Sequence, residues 1–160
     1  MTKSPIKLPD DLLPGDVLLY SHTSLMSWLI RIKTWSQISH VEVYWGAGKA
    51  AASRDGHGVN IYPFDATVAV VLRPKVAFNK EQADAWLQGE IGKPYGWLDL
   101  LRFITIKVPD EHGYICSQFA DLLERAGGVL AFSYKFDAGA VAPGEFLESA
   151  ALDEIYNRLT

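Results

Sequence analysis

The stretch from His40 to Trp45 alternates strictly, with Val41, Val43 and Trp45 on one face and His40, Glu42 and Tyr44 on the other. A period of two that ends on Gly46-Ala47-Gly48 is a strand running into a hairpin turn. Residues 49–53 then read as the return strand, Asp55-Gly56-His57-Gly58 as a second turn, and residues 59–62 as a further strand. Residues 68–73 are rich in β-branched side chains and predict a buried strand. Upstream, Pro14-Gly15-Asp16 is a turn leading into a short apolar strand over residues 17–20. A meander of this kind must cover at least one face, and the rest of the chain offers helices to do it.

Between Ser24 and Trp35, Leu25, Trp28, Leu29 and Ile32 recur at helical spacing, with Arg31 and Lys33 at the polar boundary. Asn79 is placed to cap a helix, with Gln82 three residues on and Gly89 or Gly92 as its stop. Residues 97–106 predict an apolar helix between loops at 92–96 and 109–113. A helix over 116–126 should halt at Gly127-Gly128, and a last one should begin near Pro143-Gly144-Glu145. No repeat or flexible linker interrupts the pattern. The expectation is one α+β domain over residues 1–160, with residues 1–11 an extended lead-in.

Composition narrows the function classes. The chain has 160 residues, 49% of them hydrophobic, and a net charge of −4 without a basic stripe, which argues against a nucleic-acid partner. Its four histidines, His22, His40, His57 and His112, form no pair at a ligand spacing, and its single cysteine cannot belong to a zinc cluster or an internal disulfide. No metal or cofactor is expected. No apolar run approaches the roughly 20 residues that span a bilayer. The first residues carry no apolar signal segment, so the chain as written is expected in the cytoplasm unless another system exports it or a phage-type release delivers it.

The chemistry centres on Cys116 and His40. Cys116 stands where a loop becomes a helix, and there the helix dipole and unpaired N–H groups favour a thiolate and can receive an oxyanion. Such a cysteine is otherwise a small buried hydrophobe. His40 opens a strand that could hold its ring rigidly against that helix, the geometry a Cys–His pair needs, or it is one ordinary polar residue at a strand start.

The order Pro-Gly-Asp-Val-Leu-Leu, Ser-His-Val-Glu-Val-Tyr, Gly-Lys-Pro-Tyr-Gly-Trp, Tyr-Ile-Cys-Ser-Gln-Phe and Ala-Pro-Gly-Glu-Phe joins the two. It resembles the circularly permuted NlpC-type papain-like superfamily, in particular its YiiX/YaeF-like branch, over about residues 12–147. The resemblance implies a permuted papain-like fold in which the histidine strand precedes the cysteine helix. It makes Cys116 the nucleophile and His40 its base. Gly15-Asp16 and Pro143 match positions that are structural, and Tyr95 matches a loop tyrosine that either closes the loop or serves as an oxyanion donor. Ser117, beside the nucleophile, is a further candidate for the substrate or oxyanion position.

The chain departs from its relatives at the residue that orients the histidine, because the strand after the histidine strand reads Ala50-Ala51-Ala52-Ser53. Glu42, Ser53, Asp55 and His57 are the candidates for that role, or a dyad works without one. Glu42 is favoured as the third catalytic residue, although it lies only two residues from His40 on the same strand. The implied activity is hydrolysis of an amide or ester through a Cys116 thioester, with acyl transfer as a variant. The implied substrates are cell-wall peptide amides or acyl-lipids and N-acyl conjugates. The 24–35 segment, if it lies on a bilayer instead of packing as core, would give a peripheral membrane contact. The alternative is a decayed site on the same fold that serves as a binding module.

Overall fold

The computed structural model describes residues 7–23, 36–96, 114–132 and 141–159. The helices expected over 24–35 and 97–106, and His112, lie outside the described residues. Six strands form one antiparallel sheet: β1 (Val17–Tyr20), β2 (His40–Gly46), β3 (Lys49–Arg54), β4 (Gly58–Pro63), β5 (Val70–Pro74) and β6 (Leu152–Asn157). Their order across the sheet is β4-β3-β2-β1-β5-β6. Helix α1 (Lys80–Glu90) packs on α2 (Cys116–Ala126), and α2 packs in turn on β2 and β3. The architecture is α+β.

The alternation of β2 divides the molecule into two apolar layers. Val41, Val43 and Trp45 join Val17, Leu19, Phe119, Ala120 and Leu123 in the larger core between sheet and helices. Tyr44 joins Leu18, Tyr20, Ala50 and Val71 in a smaller cluster on the opposite face. Phe119 is fully buried, which stabilises the α2–sheet contact by about 2–3 kcal/mol. The β2–β3 hairpin turns through Gly46, Ala47 and Gly48, whose φ values are 96°, 51° and 68°. Two glycines and a small residue tolerate that left-handed run.

Asp16 shows why the turn before β1 carries an acid. Its carboxylate is buried and accepts the Leu13 N–H at 2.8 Å. Arg73 of β5 grips the same group, Nε to Oδ1 at 2.8 Å and Nη2 to Oδ2 at 2.6 Å. The pair ties the turn to the far side of β1 by a two-pronged ionic contact.

Two expectations are corrected, and that of a late helix from Pro143 is met with its type refined. The described part of the lead-in is turned, not extended: the Asp11 N–H bonds the Lys7 carbonyl at 2.9 Å and the Leu12 N–H bonds that of Pro9 at 3.0 Å. These bonds bury Leu12 under the smaller cluster. The late helix is a 3-10 helix, Pro143–Glu148, begun by proline and by the Glu145 side chain accepting the Ala142 N–H. After it comes β6, a sixth strand absent from the sequence reading. Helix α1 is capped as expected, with Asn79 Oδ1 accepting from the Gln82 N–H at 3.1 Å, and it runs through Gly89 to stop before Gly92.

Candidate active site

The site residues converge where the start of β2 meets the start of α2. Helix α2 begins at Cys116, preceded by Ile115, whose side chain has no oxygen with which to cap it. Gln118 compensates in part, its Oε1 accepting the Ile115 N–H at 2.9 Å. The N–H groups of the first turn have no intrahelical acceptor and remain available to an anion. Cys116 is a free thiol, 2% exposed.

His40 is the first residue of β2, paired with Tyr20 of β1. Its ring lies within hydrogen-bonding reach of Cys116 and sets Nε2 against Glu42 Oε1 at 2.9 Å. Burial alone would discharge the imidazole. The Cys116 sulfur and the Glu42 carboxylate outweigh burial and hold the ring proton up to about 10. The i to i+2 contact along one strand is therefore made, because both side chains leave the same face and Glu42 is buried against the ring.

Burial also opposes a charge on Glu42, yet hydrogen bonds from His40 and Arg54 keep its carboxyl below the usual carboxylate range. Arg54, the last residue of β3, approaches with Nε 2.7 Å from Oε1 and Nη2 3.0 Å from Oε2. Sequence reasoning passed over Arg54. The signal that could have found it is register: Val43 pairs with Ala51, and the same antiparallel register continued along the hairpin sets Arg54 beside the start of β2.

The other candidates are placed differently. Ser53 is fully buried and donates its hydroxyl to the Tyr114 carbonyl at 2.6 Å, so it braces the approach to α2. Asp55 and His57 are exposed on the β3–β4 turn. Tyr95 is buried, bridges to Tyr114, and has its phenol held strongly in the protonated form by burial first, then by Cys116 and Asp55. Ser117 is fully buried, and its hydroxyl has no hydrogen-bond partner among the described residues.

Two further groups adjoin His40. The His22 ring lies 5.7 Å from that of His40 and stacks on Tyr20 at 5.4 Å with an interplanar angle of 7°. Burial, then the neighbouring His40 charge, push His22 toward the neutral form. Tyr20 is held protonated by burial and by Glu42, and its hydroxyl donates to the Asp65 carbonyl at 3.3 Å.

Among the described residues no helix is long and apolar enough to cross a membrane. No family model matches the sequence, and no curated protein matches it either. Among solved structures, the chain is similar to the crystal structure of the metalloprotein YiiX from Escherichia coli O157:H7, DUF1105. The TM-score is 0.66 at 16% identity, over 91% of this chain and 97% of that one. Among the described residues, no group of three or more His, Cys, Asp and Glu side chains is set to hold a metal ion, so those residues do not fit one. At such an identity the likeness is one of fold.

Proposed function

We propose that the chain is a cysteine hydrolase of amide or ester bonds, with a permuted papain-like arrangement in which Cys116 is the nucleophile, His40 its base and Glu42 the residue that orients the ring. The observation that carries this reading is the contact of His40 Nε2 with Glu42 Oε1 at 2.9 Å while the ring also meets Cys116. With Nε2 turned to the carboxylate, Nδ1 is the nitrogen left for the sulfur. Nucleophile, base and orienting acid are the three parts that such chemistry requires.

The reaction follows from that order. His40 takes the thiol proton, and Sγ attacks the substrate carbonyl carbon. The tetrahedral oxyanion is received by the N–H groups at the start of α2, with the protonated Tyr95 phenol as a further donor and Ser117 beside the nucleophile. The C–N or C–O bond breaks as the imidazolium returns its proton to the leaving amine or alkoxide. A water molecule, deprotonated by His40, then attacks the thioester, releasing the acid and the thiol. An alcohol or amine in place of water would give acyl transfer. Cell-wall peptides and acyl-lipids are the substrate classes to test.

The first experiment is alkylation of Cys116 by iodoacetamide across pH in wild type and His40→Ala. Rapid labelling at about pH 6 that slows when His40 is removed is the expected result. Equal rates in both proteins would sink the pair and turn attention to ligand binding. On a cleaved substrate, Cys116→Ala should abolish turnover and leave the fold intact.

A further inference from the structure

Arg54 has no place in the three-residue chemistry, yet the geometry singles it out. Besides the His40 ring, it is the one cation among the described residues in contact with the Glu42 carboxylate, and it touches both oxygens. Oε1 is shared, accepting from Arg54 Nε at 2.7 Å and facing His40 Nε2 at 2.9 Å. Glu42 is 2% exposed and Arg54 27%, so the acid sits in the dry layer while its cation lies at the edge of water.

Arg54 is itself held in place from β4. Its guanidinium lies 4.3 Å from the centroid of the Tyr62 ring, and Nη2 reaches the Pro63 carbonyl at 3.4 Å. Tyr62 is anchored in turn, its hydroxyl donating to the Gly58 carbonyl at 2.6 Å. The remaining titratable groups around the cluster are Tyr20 and His22 from β1 and the segment after it, Asp65 after β4, and Cys116 of α2.

We propose that Arg54 is a positioning residue for the site: its two-pronged grip keeps the buried Glu42 carboxylate charged and aimed at His40 Nε2. The proposal rests on the reading of His40 and Glu42 given above. The physical reason is that burial opposes the charge on a carboxylate, each charge-assisted hydrogen bond offsets part of that cost, and loss of the two from the guanidinium raises the carboxylate's affinity for a proton. A neutral Glu42 would no longer favour the imidazolium or fix the ring's tautomer. A planar fork matches both oxygens at once, which a lysine ammonium does not. The ring of Tyr62 fixes the plane of the fork.

The test titrates the Glu42 carboxyl carbon by NMR in 13C-labelled protein, with the signal assigned through Glu42→Gln. In Arg54→Met the midpoint should rise by about one pH unit or more, and Arg54→Lys should recover part of that shift. Tyr62→Leu, which leaves the cation but removes its support, should give a smaller rise and serves if Arg54→Met does not fold. An unmoved midpoint in the Arg54 variants, or in Tyr62→Leu and Arg54→Lys where Arg54→Met does not fold, overturns the proposal. Iodoacetamide labelling of the same proteins separates the two readings. If His40→Ala leaves the labelling rate unchanged, the hydrolase reading fails while the Glu42 midpoint still reports on Arg54. If His40→Ala slows labelling and the Glu42 midpoint does not move, only the role of Arg54 fails.

Discussion

The hydroxyl of Ser53 donates to the carbonyl of Tyr114 across 2.6 Å, which joins β3 to the residue two before Cys116. The same segment is bound on its other side, where Tyr95 bridges to Tyr114 and the Gly96 N–H bonds the Tyr114 carbonyl at 3.1 Å. One carbonyl thus receives a side-chain and a backbone donor just ahead of the helix. The sheet that carries His40 and the helix that carries Cys116 are held together within a few residues of those two side chains.

Replacing Ser53 by alanine removes one of those donors inside a fully buried position. The expected loss of stability is about 1–2 kcal/mol, since a buried hydrogen bond is lost and its acceptor keeps the second donor. Urea unfolding measures it. Cys116 alkylation should slow in the folded protein as well, because the start of α2 is no longer fixed against β3. A stability change without any change in labelling would confine Ser53 to the fold.

Glu42→Gln tests the ring contact through protonation. His40 is raised from 6.5 to about 10, so its contribution to stability is fully present below the unfolded value and is lost as pH rises through the folded one. Without the carboxylate, the His40 midpoint, followed by NMR of its ring carbon, should fall by about one pH unit or more. The decline in unfolding free energy between neutral and alkaline pH should flatten accordingly. A His40 midpoint unchanged by the substitution would mean that Glu42 does not govern the ring.

Gly58→Ala probes the loop that delivers Tyr95. Gly58 has φ of +73°, and a Cβ there would run into the Lys93 carbonyl. That carbonyl accepts the Val59 N–H at 2.8 Å, and the Val59 carbonyl accepts the Gly92 N–H at 2.9 Å. Both the backbone conformation and the close approach demand glycine, so the substitution should cost about 1–3 kcal/mol. Hydrogen exchange at the Val59 amide should accelerate beyond the global effect. Exchange that tracks only the global loss would mean that the loop does not move.

The parts of this molecule legible in the sequence are those decided by local rules. The alternation of β2, the Gly46-Ala47-Gly48 turn and the Asn79 cap depend on residues within a few positions of one another. Strand β6 was illegible because Leu-Asp-Glu-Ile-Tyr-Asn lacks a clean period. It is an edge strand whose order comes from pairing with β5, and its Asp153 and Glu154 suit an exposed edge. At the site, the sequence names His40, Glu42 and Cys116 as candidates and favours Glu42 among four orienting residues, but what each of the four touches is not legible there. Ser53 and Glu42 differ in what they touch, which is set by strand register and by the path into α2. Arg54 belongs to the same class: only the β2–β3 pairing brings it to Glu42.

A last prediction concerns a buried acid away from the site. Glu124 of α2 is fully buried, and neither carboxyl oxygen has a hydrogen-bond partner among the described residues. Burial, followed by the nearby Asp16 and Asp121 carboxylates, raises its carboxyl well above the usual range. For an acid raised in the folded state, stability is fully present below the unfolded value and falls as pH climbs toward the folded one. The wild type should therefore lose stability from about pH 4 toward neutrality through this one group. Glu124→Met has a similar volume and no charge to bury, and should stabilise the protein at neutral pH on the order of 1–3 kcal/mol. The gain should shrink as pH is lowered toward 4, where the unfolded chain also holds the proton. Urea unfolding of both proteins at several pH values gives the answer, and a gain independent of pH would show that Glu124 costs the fold nothing through its ionisation.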